Sequence, residues 1–156
     1  MTGNDDKHEG HEEIEALEEE SAHGPGVRVS SPLSLEAERV MHRTIGCAIA
    51  VHRVLGPGFL ESIYRAALCL ELDAQQIGFE QERPVRVAYR GVEIPGQRID
   101  LIVEGLIVVE LKAVVQLADV HRAQLVSYLR TTGLRGGLLI NFGARFLKDG
   151  LKRVVL

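Results

Sequence analysis

Tryptophan is absent from the 156 residues, and only four phenylalanines and three tyrosines occur. So few rings argue against a stacking platform for single-stranded nucleic acid. Cysteine is nearly absent too. Cys47 and Cys69 lie in helix-like segments with no C-x-x-C or Cys/His spacing. They read as small buried residues of a cytoplasmic chain, not as a disulfide framework or a structural zinc site. No apolar run approaches the length of a membrane span: stretches such as residues 45–51, broken by Gly46, and 106–109 fall far short. The first twenty residues are acidic and lack the apolar stretch of a secretory signal.

What is present is 46% apolar and 26% charged residues, enough for one folded domain and too short for two comfortable ones. The net charge of −4 is unevenly spread. Residues 1–32 hold nine acids against Lys7 and Arg28, whereas residues 33–156 hold sixteen bases against thirteen acids. The first stretch, ending in Gly24-Pro25-Gly26, predicts a disordered acidic tail, at most transiently helical around residues 14–17. His8 and His11 belong to that solvated tail, since nothing rigid would hold them as metal ligands. The remainder predicts a mildly basic domain, which fits a phosphate-bearing partner without establishing one.

Within residues 33–156, Ser34 starts a helix that runs to about residue 54 and breaks at Gly56-Pro57-Gly58. A second follows over about 60–75, with Leu60, Ile63, Ala67 and Leu68 as its buried side. Residues 79–82 and 85–89 read as short strands, with Pro84 at an edge or bend; turns follow at Arg90-Gly91 and Pro95-Gly96. Residues 99–103 and 106–111 are near-continuous apolar strands, expected at the centre of a sheet covered on both faces. Asp119 caps a third helix that ends at Gly133; strands over 138–142 and 153–156 close the chain. The expected fold is α/β, a central mixed sheet flanked by helices, with two helices preceding the strands.

Asp100, Glu110 and Lys112 interrupt those two central strands, where ionisable groups are costly unless paired or bound to a metal. Glu110 and Lys112 share a face by alternation. A two-residue turn at Glu104-Gly105 would turn Asp100 to the other face. A three-residue loop, Val103-Glu104-Gly105, would pair Ile102 with Leu106, set Asp100 opposite Val108, and leave Glu110 one diagonal step away, about 7–8 Å at Cα. The bulged loop is the prediction. It places Arg98 opposite Glu110 as a shield for carboxylates able to share a cation at about 2.0–2.1 Å.

Asp100 followed by Glu110-Leu111-Lys112 resembles the D…ExK motif of the PD-(D/E)xK nuclease superfamily, which has the restriction-endonuclease-like fold. Residues 58–64, Gly-Phe-Leu-Glu-Ser-Ile-Tyr, resemble the signature of its GxxExxY family. The similarity runs through most of residues 35–156, including His52, Arg98 to Leu101, Gln124-x-x-x-Tyr128 and Gly137 to Gly143, while Ile99 stands where the superfamily's name has proline. The resemblance implies metal-binding carboxylates at Asp100 and Glu110, a helix-borne carboxylate at Glu61, a strand carbonyl at Leu111 and a catalytic lysine at Lys112. It also implies support from Gln124 and Tyr128, and Mg²⁺ or Mn²⁺ as cofactor. Independently, His121, Gln124 and Tyr128 fall on one helix face, as do Glu61 and Tyr64.

Tyr128 is otherwise a core tyrosine, and His52 either contacts phosphate or caps the first helix. Arg145, Lys148, Lys152 and Arg153 either neutralise phosphates or form a solvated surface. The expected function is metal-dependent hydrolysis of phosphodiesters, with DNA as partner and a homodimer as a form suited to duplex. The alternative is a silent nucleic-acid-binding or protein-interaction module on the same fold.

Overall fold

A computed structural model describes residues 31–156. The expected disordered tail, its residues 14–17, and His8 and His11 lie outside the described residues.

Helix α1, Leu35–Leu55, begins where Ser34 Oγ accepts the Ala37 N–H at 3.1 Å, with Glu36 and Glu38 in its first turn. It ends at Gly56, whose φ of 62° favours glycine. Its buried stripe includes Val40, Met41, Ile45 and Ala48; Thr44 is also fully buried, its hydroxyl satisfied by the Val40 carbonyl at 2.8 Å.

Helix α2, Glu61–Ala74, buries Tyr64, Leu68 and Leu72, a spacing of one residue per turn. This corrects the sequence-based face: Leu60 and Ile63 are exposed, at 75% and 45%. Tyr64 sets the helix rotation. Its ring stacks on Phe142 with centroids 4.7 Å apart, while its hydroxyl donates to the Gly56 carbonyl at 2.5 Å and accepts the Phe59 N–H at 3.1 Å.

The main sheet has five strands in the order β1-β4-β5-β6-β7: β1 Phe79–Pro84, β4 Arg98–Val103, β5 Ile107–Lys112, β6 Gly136–Asn141 and β7 Leu151–Val155. Only β5 and β6 pair in parallel. Helix α3, Asp119–Thr132, supplies the crossover between them and stops at Gly133, φ 74°. Two short strands missing from the sheet, β2 Val87–Tyr89 and β3 Val92–Ile94, form a separate hairpin between β1 and β4. Sequence reading joined the first of these to residues 85–86 and did not anticipate the second.

Alternation along β5 divides the core. Ile107, Val109 and Leu111 lie under α1 and α2 with Tyr64, Leu68 and Phe142. Val108 belongs to the α3 side, with Ile102, Leu125, Tyr128 and Leu139. Glu110 and Lys112 therefore point toward α3. Gly137 of β6 admits that helix closely, since a Cβ there would stand 2.8 Å from Leu125 Cδ1.

After β6 the chain is held by Asn141, which is buried. Its Oδ1 accepts from the N–H groups of Val114 and Gly143, both at 3.0 Å, and its Nδ2 donates to the Val114 carbonyl at 2.9 Å. A Cβ on Gly143 would overlap the Val114 carbonyl oxygen, a backbone atom that cannot swing aside. Gly143→Ala should therefore cost roughly 1–3 kcal/mol, the range for overpacking, read as a lower urea midpoint at unchanged slope.

Three helices among the described residues and a mixed five-stranded sheet constitute the expected restriction-endonuclease-like α/β arrangement. None of these helices is long and apolar enough to cross a membrane.

Candidate active site

The β4–β5 connection corrects the expected register while keeping its parity. Glu104 and Gly105 take φ of 52° and 65°, the Leu106 N–H returns to the Val103 carbonyl at 2.9 Å, and the ladder resumes at Val103↔Ile107. Leu106 is thus the bulged residue, not the partner of Ile102, which pairs with Val108. The left-handed backbone of Glu104 is offset by its bonding to Gly78 of a neighbouring segment: its N–H donates to the Gly78 carbonyl at 2.8 Å and its Oε1 accepts the Gly78 N–H at 2.5 Å. Continued along the strands, this register aims Asp100 at Glu110 directly, closer than the diagonal expected.

The ladder does not in fact continue. Pairing of β4 with β5 ends at Leu101↔Val109, although both strands run on. On the other side, the β1–β4 register skips the position where Glu82 would oppose Asp100, and Glu82 has φ 51°. Asp100 thus sits just past the end of the β4–β5 ladder and at a one-residue gap in the β1–β4 ladder. Its Oδ2 accepts the buried Leu111 N–H at 2.8 Å, standing in for the missing backbone partner. Its Oδ1 is 3.5 Å from Arg65 Nη1, and Arg65 Nη2 is 3.5 Å from Glu82 Oε1.

The cation beside Asp100 is therefore Arg65, from α2, and not Arg98. Arg98 is exposed; what it gives the site is its backbone carbonyl, which accepts the Tyr128 hydroxyl at 3.2 Å. Arg65 was missed by sequence reading. The available signal was its spacing, four residues after Glu61 on the same helical face.

Glu110 is only 3% exposed. Its Oε1 lies 3.4 Å from Lys112 Nζ, and its Oε2 is buried with no hydrogen-bond partner. Burial first, then the negative charge of Asp100, push its carboxyl up to about 8, against the opposing pull of Lys112. Two facing carboxyl groups in such a setting are satisfied by a proton held on Glu110 toward Asp100, or by a cation between them.

Lys112 is fixed by α3. Its Nζ donates to Gln124 Oε1 at 2.9 Å, and Gln124 Nε2 donates to the Tyr128 hydroxyl at 2.8 Å. The same hydroxyl accepts from Gln97 Nε2 at 3.0 Å. Burial raises the Tyr128 phenol, which stays neutral and able to donate to Arg98. Gln124 is thereby oriented at both ends, which leaves its carbonyl turned to the ammonium.

Glu61 opens α2, and its carboxyl is raised by burial and then by the charge of Asp100, with Lys112 and Arg65 opposing. It is electrostatically part of the site. Among the described residues, however, no three His, Cys, Asp or Glu side chains converge closely enough to hold an ion by themselves.

The structure thus brings together Glu61, Asp100, Glu110, Lys112, Gln124 and Tyr128, with Leu111 alongside through its amide. His121 does not join them; its Nδ1 accepts the Ala118 N–H at 3.0 Å at the start of α3. His52 is committed elsewhere: its Nε2 donates to the Ala144 carbonyl at 2.8 Å and its ring stacks on Phe142. Arg153 pairs with Glu38 and Ser31, so it is not a free phosphate ligand. Arg145 lies over the Phe146 ring, and Lys148 is exposed in the 3₁₀ turn Leu147–Gly150. Lys152 is exposed opposite Leu139, which itself pairs with Glu110. Two strand spacings, about 10 Å, therefore separate Lys152 from Glu110 along one row.

The pair Asp100 and Glu110 suits a hard divalent cation. Both are oxygen donors, one buried oxygen lacks a partner, and Mg²⁺ is commonly held by one or two carboxylates with water completing its shell. A family model described as the PD-(D/E)XK nuclease superfamily matches residues 38–154. Comparisons with curated proteins and with solved structures each found no match. With its sheet order, its central hairpin and a matched span covering most of its length, the chain belongs to the PD-(D/E)XK nuclease superfamily.

Proposed function

We propose that this protein is a divalent-cation-dependent nuclease of the GxxExxY branch, hydrolysing phosphodiester bonds of DNA. The observation that carries the reading is the buried Asp100–Glu110 pair, with Glu110 Oε2 unpartnered and an ammonium held beside it by Gln124. Buried charges of this kind rarely add net stability, so their convergence is better explained by chemistry.

Asp100 and Glu110 would hold the cation, with the Leu111 carbonyl and Glu61 near at hand. Bound Mg²⁺ or Mn²⁺ lowers the pKa of a coordinated water and offsets charge on the phosphate. Lys112 would orient the attacking water and donate to the phosphoryl oxygen as negative charge develops on it. Gln124 restrains the ammonium, and Tyr128 restrains Gln124. Tyr64 acts one step further out, by holding the 56–59 loop from which Glu61 enters the site. Lys152, Lys148 and Arg145 would contact flanking phosphates, which predicts binding that weakens steeply with salt.

Plasmid, single-stranded DNA and RNA incubated with Mg²⁺, Mn²⁺ or EDTA test the reading, with Asp100→Asn in parallel. Wild type should cleave DNA in the metal-containing reactions alone, and Asp100→Asn should not cleave. Equal traces of cleavage by both proteins would mark contamination and leave a silent binding module.

A further inference from the structure

Beside the site, on the α3 face, lies a cleft of about 590 Å³. Gln124, Tyr128, Gln97 and Arg98 line it, together with Val87 and Ile94 of the β2–β3 hairpin. The residues that hold Lys112 therefore also line this cleft.

The hairpin itself is unusual. Pairing Val87↔Ile94 and Tyr89↔Val92 sets four large apolar side chains on one of its faces. All four are exposed, Tyr89 to 68%. A two-stranded hairpin is marginal in water without a covered apolar face, and this one is outside the main sheet.

Charge narrows what covers it. Residues 85–98, the β1–β4 connection together with the first residue of β4, carry Arg86, Arg90 and Arg98 against the single acid Glu93. Among the described residues, none of these three guanidinium groups is paired with a carboxylate. The folded domain's sixteen bases and thirteen acids become thirteen and twelve once residues 85–98 are set aside, so most of its positive excess sits here.

An exposed apolar hairpin face carrying the Tyr89 ring, continuous with the cleft through Val87 and Ile94 and flanked in sequence by unpaired arginines, matches a particular ligand chemistry. A duplex offers phosphates but keeps its base faces stacked inside. An unpaired strand offers both, bases for the apolar face and phosphates for the arginines. The scarcity of aromatic residues excludes a platform of several rings, yet one tyrosine suffices for one base.

We propose that the β2–β3 hairpin and its cleft bind an unpaired stretch of nucleic acid next to the scissile phosphate, so that the substrate carries a single-stranded element. This rests on the nuclease reading of the same site. It makes the hairpin a strand-selecting arm, with Tyr89 stacking on a base and Arg86, Arg90 and Arg98 neutralising phosphates.

The test is binding of labelled oligonucleotides in EDTA, where no cleavage intervenes, comparing single-stranded with blunt duplex DNA. Wild type should favour the single strand. Tyr89→Ala should weaken that binding about tenfold or more, as expected for losing one stacked base, and leave duplex binding unchanged. Tyr89→Trp should retain it, and Arg86→Ala with Arg90→Ala should flatten the salt dependence. Preference for blunt duplex, or equal single-strand binding by Tyr89→Ala, would overturn the proposal. So would sedimentation showing a dimer that Tyr89→Ala dissociates, since the occupant would then be a second copy of the chain. Tyr89-dependent binding without cleavage would sink the nuclease reading alone; cleavage with Tyr89-independent binding would sink this inference alone.

Discussion

Lys112→Ala is expected to lower the rate of DNA cleavage about 10²–10³-fold, the usual cost of removing one group that stabilises developing oxyanion charge. The ammonium is poorly exposed, 2.9 Å from Gln124 and 3.4 Å from Glu110, and so is positioned before substrate arrives. The loss should fall on kcat, with KM little changed, because a group acting mainly on transition-state charge contributes little to ground-state binding. Lys112→Arg should rescue poorly: a planar guanidinium does not fit a point donor's place between Gln124 and Glu110. Gln124→Ala should cost less than Lys112→Ala, since it frees the ammonium without removing it. Single-turnover cleavage, paired with oligonucleotide binding, checks all three. Wild-type cleavage by Lys112→Ala would remove this residue from the mechanism whatever else the protein does.

Much of this arrangement was legible because it depends on short-range rules. Ser34, Gly56 and Gly133 bound their helices as capping chemistry requires. Alternation alone placed Glu110 and Lys112 on one face, and Gly105 was the cue to a bulged hairpin that brought Asp100 to the same side. The shift to Leu106 as the bulged residue was not legible, because it depends on Glu104 taking a left-handed φ that only its bonds to distant Gly78 support.

Long-range partners were hidden for the same reason. Arg65 meets Asp100 from another element, and its spacing from Glu61 ties it to that helix face without marking it as the partner of Asp100 over the nearer Arg98. Likewise, Asn141 holds a loop 27 residues away in the chain. The break in the sheet beside Asp100 needs the backbone of Glu82 on one strand and the end of the Leu101↔Val109 ladder on another. A three-residue strand such as β3 gives too few alternations to be read at all. The site's residue types were thus visible in the sequence, whereas the contacts that hold them in place were not.

In EDTA, thermal stability should fall as pH rises from the ordinary carboxylate range toward about 8, and Mg²⁺ should restore it most at the upper end. The sign follows from Glu110. Its folded carboxyl is raised from 4.5 to about 8, so between those values the folded protein keeps a proton that the unfolded chain has released. Stability then declines with pH across that window, by up to about 1.4 kcal/mol for each unit, with solvent relaxation leaving a total of a few kcal/mol. Glu61, also raised, acts in the same direction.

A cation seated between Asp100 and Glu110 needs Glu110 ionised and competes with that proton. Binding should therefore tighten with pH, release a proton on titration, and lift Tm by roughly 2–4 °C for each kcal/mol gained. Glu110→Gln carries its own hydrogen and cannot ionise. It should remove most of the pH dependence seen in EDTA, leaving the share of Glu61, and abolish the Mg²⁺-induced rise, with the fold intact by circular dichroism. If Glu110→Gln kept the full Mg²⁺ response, the ion would be bound elsewhere and the Asp100–Glu110 pair would lose its role as the metal seat.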